Sequence, residues 1–108
     1  KYEPKNLEEF KKNDKYMVFS GIGNHKTFIS MLKNYGLNII QELEFPDHYK
    51  YKKKDISKIL AKAKKLKCKI LTTEKDYVRI KSENLSQIKF IKSELKIIDE
   101  EKFLQSLL

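Results

Sequence analysis

The sequence contains a single cysteine, Cys68, and only two histidines, His25 and His48. One thiol cannot form an internal disulfide framework, and these residues cannot build a cysteine-rich zinc site or a metal site of histidines alone. We therefore expect a reducing, cytoplasmic setting. Cys68 lies next to the start of an apolar run, and we interpret it as a small buried residue.

Long apolar runs are also missing. No stretch approaches the roughly 18 consecutive apolar residues of a membrane-spanning helix, and no signal-peptide pattern opens the chain. With 108 residues, 40% of them hydrophobic, the chain is too apolar to remain disordered. This length predicts one domain with a single modest core. Because the chain begins at Lys1 rather than Met, we expect it to be a piece of a longer protein.

Arginine is almost absent. Lysine and arginine total 24 against 15 acidic residues, a formal charge of +9, yet Arg79 is the only arginine. Readers of bases and phosphates favour arginine, so we expect no nucleic-acid partner and rank a charge-driven nucleic-acid binder last. One lysine stripe is expected to be a solvated helix face, with anionic lipid headgroups as the alternative contact. It comprises Lys54, Lys58, Lys62, Lys65 and Lys69.

Short apolar runs alternate with segments of helical periodicity. Strands are predicted at 16–20, 37–45, 69–72 and 88–98. Helices are predicted at 25–35, at about 54–67, after Thr73 and after Asp99. The order β-α-β-α-β-α-β-α predicts an α/β, Rossmann-like fold with a mostly parallel four-stranded sheet and helices on its faces. We expect residues 1–15 to be a polar lead-in and residues 16–108 to be a single domain.

Polar side chains collect where three of the predicted strands end. The carboxyl ends of parallel strands share one edge of the sheet, where ligands of such folds bind. The three segments are Ser20 to Asn24, Phe45 to Tyr51 and Thr72 to Asp76.

The first segment joins a strand to the N-terminus of a helix. Backbone N–H groups and the helix dipole favour an anion there, and glycine lets a ligand approach the backbone. The segment is not G-x-G-x-x-G, and the sequence contains no G-x-x-x-x-G-K-S/T phosphate loop. The alternatives are a phosphate cradle and a tight turn in which Asn24 caps the helix.

The second segment places a carboxylate beside an imidazole, at Asp47 and His48. Histidine titrates near neutrality and can transfer a proton, and a carboxylate can orient its ring. The alternative is a turn capped by Asp47 with His48 as an ordinary surface residue.

The third segment offers hydroxyls, a cation and two carboxylates. Thr73 and Asp76 have the spacing of a capping box at the start of a short helix. Glu74 and Lys75 have no comparable structural explanation.

In this order and at this spacing, the three segments resemble the C-terminal part of tetraacyldisaccharide 4'-kinases, the lipid A 4'-kinases of Gram-negative bacteria. The resemblance covers about residues 17–98. It implies a two-lobed enzyme that transfers the γ-phosphate of ATP to the 4'-hydroxyl of a tetraacyl glucosamine disaccharide 1-phosphate. It also implies an N-terminal lobe that holds ATP and Mg²⁺ at the cytoplasmic side of the inner membrane. The chain itself is expected to be soluble, without a bound cofactor and without kinase activity.

The resemblance implies that His48 supports a catalytic aspartate of the other lobe and that Asp47 orients His48 or its loop. It places no metal ligand in this chain. The residues that it implies for the substrate or interlobe cleft are Ser20, Gly21, Gly23, Asn24, Tyr49, Glu74, Lys75 and Asp76. The family often has a second histidine where this chain has Tyr49, and many members have proline at the position of His25. The alternative function is a free-standing α/β module that binds a nucleotide or phosphate without catalysis.

Overall fold

The structure is a computed structural model that describes residues 2–4, 10–80 and 85–95. Its elements follow the chain as β1 (Tyr2–Pro4), β2 (Lys15–Ser20), α1 (His25–Tyr35), β3 (Asn38–Glu44), α2 (Lys53–Leu66), β4 (Lys69–Thr73), α3 (Glu74–Val78), β5 (Ile88–Ile91) and β6 (Ser93–Leu95).

Four of the strands form an all-parallel sheet in the order β3-β2-β4-β5. The helices α1, α2 and α3 connect its successive strands, which confirms the predicted α/β, Rossmann-like class. In the register, Val18 lies between Glu42 on β3 and Leu71 on β4. Because β2 and β4 are the two central strands, their carboxyl ends at Ser20 and Thr73 meet in the middle of one edge.

The remaining two strands form a separate antiparallel pair, β1 with β6, in which Glu3 lies opposite Glu94. The polar lead-in thus contains a strand that its own sequence pattern does not reveal. The strand predicted over 88–98 is instead two short strands, β5 and β6, separated at Lys92. The helix predicted after Asp99 lies outside the described residues.

The core fills both faces of the sheet. The residues of β2 from Tyr16 to Ser20 are all buried, and their side chains alternate between the faces. Tyr16 and Val18 pack in the cluster that includes Leu32 of α1, while Met17 and Phe19 pack in the cluster around α2. Burying each large apolar side chain contributes about 1.5–3 kcal/mol, so β2 is the strand on which the fold most depends.

Both long helices end in a left-handed residue. Gly36 ends α1 with φ 108°, and Lys67 ends α2 with φ 55°. At the start of α2, the Asp55 carboxylate accepts a hydrogen bond from the backbone N–H of Lys52 at 2.8 Å.

The lysine stripe lies on the exposed face of α2 and at the start of β4, as predicted. Lys69, its last member, lies 2.6 Å from the Asp14 carboxylate. Cys68 is only partly buried, because it follows the end of α2 rather than lying within the core. Within the described ranges, none of the helices combines the length and apolar character that crossing a bilayer requires.

Candidate functional site at the carboxyl edge of the sheet

A buried carboxylate, Asp76, connects all three strand-end segments. Thr73 caps α3, as predicted, by accepting a hydrogen bond from the Asp76 backbone N–H at 3.0 Å, and its hydroxyl donates to Oδ2 at 2.6 Å. The other oxygen, Oδ1, accepts from the Gly21 N–H at 2.9 Å, the Tyr51 hydroxyl at 3.0 Å and Arg79 Nη2 at 2.9 Å. Asp76 is therefore used within the chain, where it joins the ends of β2 and β4 to the loop that follows β3.

Tyr51 is the neutral donor of this network. Burial is the main cause that raises the pKa of its hydroxyl far above the ordinary value, and the neighbouring negative charge of Asp76 raises it further. The hydroxyl consequently keeps its proton throughout the physiological range and remains a hydrogen-bond donor to Asp76.

The Ser20–Asn24 turn uses one of its backbone N–H groups within the chain. The Gly21 N–H donates to the buried carboxylate of Asp76 and is not available to a ligand. A Cβ added to Gly21 would lie 2.9 Å from the Pro46 carbonyl oxygen, so this glycine is required by a close approach of the chain to itself. Asn24 occupies the N-cap position of α1, but its side chain makes no capping hydrogen bond. The geometry favours the tight turn.

The loop after β3 is fixed to the end of β2 through its backbone. The Phe45 N–H donates to the Ser20 carbonyl oxygen at 2.8 Å, and the His48 N–H donates to the Gly21 carbonyl oxygen at 3.0 Å. His48 adopts a left-handed backbone conformation with φ 61°. A residue other than glycine populates this region only where its surroundings hold it there.

A cluster of aromatic side chains packs within and against the same loop. The Phe45 ring stacks on Tyr49 with centroids 4.9 Å apart and meets the edge of Tyr51 at 5.1 Å. Phe19 of β2 contacts Tyr51 at 5.4 Å. The Tyr49 hydroxyl donates to Asp55 at 2.9 Å, which raises the pKa of Tyr49 and ties the loop to the first turn of α2.

The His48 side chain itself points into solvent, with 88% of it exposed. Its Nε2 lies 3.7 Å from a carboxylate oxygen of Asp47, whose side chain is 55% exposed, so the two form a loose pair in contact with water. Gly23 lies close by, since a Cβ built on it would be 3.7 Å from the Asp47 carboxylate. The loop therefore combines a fixed backbone with an imidazole that is free to meet a group from outside the chain.

A second hydrogen-bonded group, buried at Ser20 and His25 and exposed at Glu42, lies beside the site. The Ser20 hydroxyl lies 2.5 Å from His25 Nδ1, and His25 Nε2 lies 3.1 Å from a carboxylate oxygen of Glu42. Ser20 and His25 are both buried, so no ligand reaches the hydroxyl in this structure. The group connects the end of β2, the start of α1 and strand β3, and the sequence pattern held no signal for it.

The predicted site residues thus separate into two sets. Gly21, Asp76 and the His48 backbone are brought together by hydrogen bonds, whereas Glu74 and Lys75 lie in the first turn of α3 and are partly or fully exposed. Sequence reasoning placed Tyr51 in the second strand-end segment without naming it as a site residue, and it missed Arg79. Being the only arginine of a lysine-rich chain was the signal that could have identified Arg79.

The described residues contain no group of three or more His, Cys, Asp or Glu side chains that could hold a metal ion. A groove of about 750 Å³ lies at the other end of the sheet, beside the starts of β4 and β5. Five lysines line it together with apolar side chains such as Phe10 and Leu85, and His48 is not among its lining residues.

The fold and site define an α/β domain that presents a fixed loop at the carboxyl edge of a parallel sheet, without a phosphate loop of its own. The chain belongs to the tetraacyldisaccharide-1-P 4'-kinase family, because the model of that family matches residues 1–108.

Curated relatives agree with this family. A tetraacyldisaccharide 4'-kinase of Pelagibacter ubique (strain HTCC1062) is 52% identical over 108 residues, which cover 100% of this chain and 34% of that protein. The enzyme of the same name from Rickettsia bellii (strain OSU 85-389) is 49% identical over 69 residues, which cover 64% of this chain and 22% of the relative. The chain spans about a third of the length of the first relative and less of the second. No solved structure matches it significantly.

Proposed function

We propose that this chain is the C-terminal lobe of a tetraacyldisaccharide 4'-kinase and that it contributes His48 to the active site. The enzyme transfers the γ-phosphate of ATP to the 4'-hydroxyl of a tetraacyl glucosamine disaccharide 1-phosphate, a precursor of lipid A. The family match and the names of the relatives support the reaction. The observation that carries the role of His48 is its exposed ring on a backbone that is fixed at the carboxyl edge of the sheet.

In this reaction the sugar hydroxyl attacks the γ-phosphorus while the bond from phosphorus to the departing ADP oxygen breaks. The hydroxyl must lose its proton, which passes to a carboxylate of the other lobe. His48 holds that carboxylate in place and accepts or shares the proton, and Asp47 orients the imidazole. Phosphoryl transfer depends mainly on such positioning and on charge neutralisation, so a fixed histidine suits it.

Neither a phosphate-loop motif for ATP nor an acidic cluster for Mg²⁺ is found among the residues that the structure describes. The sequence lacks a G-x-x-x-x-G-K-S/T loop, and the acidic side chains do not group into a metal site within 10–80 or 85–95. We assign both to an N-terminal lobe outside this chain, which is also the part that contacts the inner membrane.

The test is steady-state kinetics of the full-length enzyme with His48→Ala and His48→Gln. Removing a proton-transfer or orienting group costs about 10²- to 10⁴-fold, so kcat should fall by at least about 100-fold. The KM for ATP should change little, because ATP binds elsewhere.

Lys50→Ala is the matched control, since Lys50 is an exposed residue of the same loop. It should retain kcat within about twofold, and all three variants should keep the melting temperature of the parent because both side chains are exposed. An undiminished kcat in His48→Ala would overturn the assignment.

A further inference from the structure

Arg79 contacts the same turn that holds the loop carrying His48. It follows α3 as its C-cap residue, and 22% of its side chain is exposed. Its Nε donates to the Lys75 carbonyl oxygen at 3.2 Å, and its Nη2 donates both to Asp76 Oδ1 at 2.9 Å and to the Gly21 carbonyl oxygen at 3.2 Å. The guanidinium thus contacts the end of β2 as well as its own helix.

The Gly21 carbonyl oxygen is the atom that Arg79 and His48 share. It accepts from Arg79 Nη2 on one side and from the His48 N–H at 3.0 Å on the other. The N–H of the same glycine is held by Asp76, which is itself paired with Arg79. Both polar groups of Gly21 are therefore fixed by the Asp76–Arg79 pair, and the His48 backbone is fixed by Gly21.

His48 depends on this support more than an ordinary loop residue does. Its φ of 61° is unfavourable for a residue with a Cβ, and its exposed side chain provides little packing to offset that cost. Anything that moves the Gly21 carbonyl oxygen removes the hydrogen bond that holds His48 in this conformation.

We propose that Arg79 is a positioning residue for His48 and acts through the carbonyl oxygen of Gly21. This inference rests on the proposed role of His48. A planar guanidinium can serve several acceptors in fixed directions, whereas a lysine ammonium is a single flexible point charge. The one arginine of a chain that otherwise uses lysine is found where this geometry is needed.

The first test measures the loop without using activity. Hydrogen–deuterium exchange of the full-length enzyme, followed in peptides that contain residues 45–49, should become at least about tenfold faster in Arg79→Met and Arg79→Lys. Arg79 Nη1 is buried and has no hydrogen-bond partner among the described residues, so the lysine variant removes an unpartnered donor and should fold well. Lys62→Met, which removes a positive charge from the exposed face of α2, should leave this exchange unchanged.

The second test is a double-mutant cycle on kcat. Arg79→Lys and Arg79→Met should each lower kcat by about 10- to 100-fold with little change in KM, as expected when a reacting group is displaced. In a His48→Ala background, Arg79→Met should lower kcat by less than about twofold further, because the group that it positions is already gone.

Each outcome of these two tests either supports or overturns the positioning role of Arg79. Faster exchange of residues 45–49 together with non-additive kcat losses supports it. Unchanged exchange in both Arg79 variants, or full additivity with His48→Ala, overturns it. If His48→Ala alone keeps its kcat, the proposed function fails, and the exchange measurement still decides whether Arg79 positions the loop.

Discussion

At the scale of single residues, the two glycines of the Ser20–Asn24 turn have different roles although they look alike in the sequence. Gly21 is buried, and a Cβ on it would meet the Pro46 carbonyl oxygen at 2.9 Å and the Tyr49 Cβ at 3.2 Å. Gly23 is exposed and would meet only the Asp47 carboxylate, at 3.7 Å. The lack of a side chain at Gly21 thus allows the loop after β3 to approach closely, whereas at Gly23 it leaves open space at the edge of the site.

Gly21→Ala should therefore destabilise the protein by about 1–3 kcal/mol, because backbone rather than a flexible side chain must move to admit the methyl group. Gly23→Ala should change stability by less than about 0.5 kcal/mol. Urea unfolding of the two variants beside the parent measures both values. Equal stability of the two variants would show that the close approach at Gly21 is not a constraint.

At the scale of the elements, α2 has an unfavourable residue at its C-terminal end. Lys67 adopts φ 55°, a conformation that glycine takes without steric cost. Lys67→Gly should raise the free energy of unfolding by about 1 kcal/mol. Lys65→Gly, an exposed position inside the last turn, should lower it by about as much, because glycine weakens a helix interior. Thermal or urea unfolding distinguishes the two; a loss of stability in Lys67→Gly would contradict the left-handed cap.

The start of α2 should make stability depend on pH. Hydrogen bonds from the Lys52 N–H, and to a smaller extent from the Tyr49 hydroxyl, hold the pKa of Asp55 below its ordinary value. A lowered folded-state pKa contributes stability above the unfolded-state value, near pH 4, and this contribution is lost as the pH falls through the folded-state pKa.

Asp55→Asn should accordingly be less stable than the parent at pH 7, and the difference should shrink as the pH falls from about 5 to 3. Tyr49→Phe removes one of the donors to Asp55, so its loss of stability relative to the parent should also shrink over this range. Urea unfolding at several pH values measures both. A difference between Asp55→Asn and the parent that stays constant over this range would contradict the role given to Asp55.

Local patterns predict the elements of this fold well but not its long-range contacts. The periodicity of Phe28 and Leu32, followed by Gly36, predicts α1 with its observed bounds, because a helix is determined by neighbours in the sequence. The pairing of β1 with β6 is not predictable in this way, since the partners come from opposite ends of the chain.

The candidate site shows the same difference between predictable local features and unpredictable long-range contacts. The spacing of the three segments indicates which residues gather at the carboxyl edge, and Thr73 caps α3 as its position suggests. The donors to Asp76 come from Gly21, Tyr51 and Arg79, which only the folded sheet brings together. Sequence analysis consequently identified Asp76 but could not show that it lies inside the chain rather than at the surface of a cleft.

At the scale of the whole molecule, the sheet, the aromatic cluster and the Asp76 network all support one loop. The histidine on that loop uses its backbone to bind the fold and leaves its ring exposed. The chain covers 34% of the Pelagibacter relative, and in the proposed function the exposed ring meets a carboxylate from outside this chain. The lysine-rich charge is spread over exposed faces and includes Lys50 of the same loop.

The most direct test of the account is the rate of phosphoryl transfer in a single turnover of the full-length enzyme, with excess enzyme and saturating ATP, in the parent and in His48→Ala. This rate reports the chemical step without product release. The account predicts that His48→Ala slows it by at least about 100-fold while nucleotide affinity is retained. A transfer rate equal to that of the parent would contradict it.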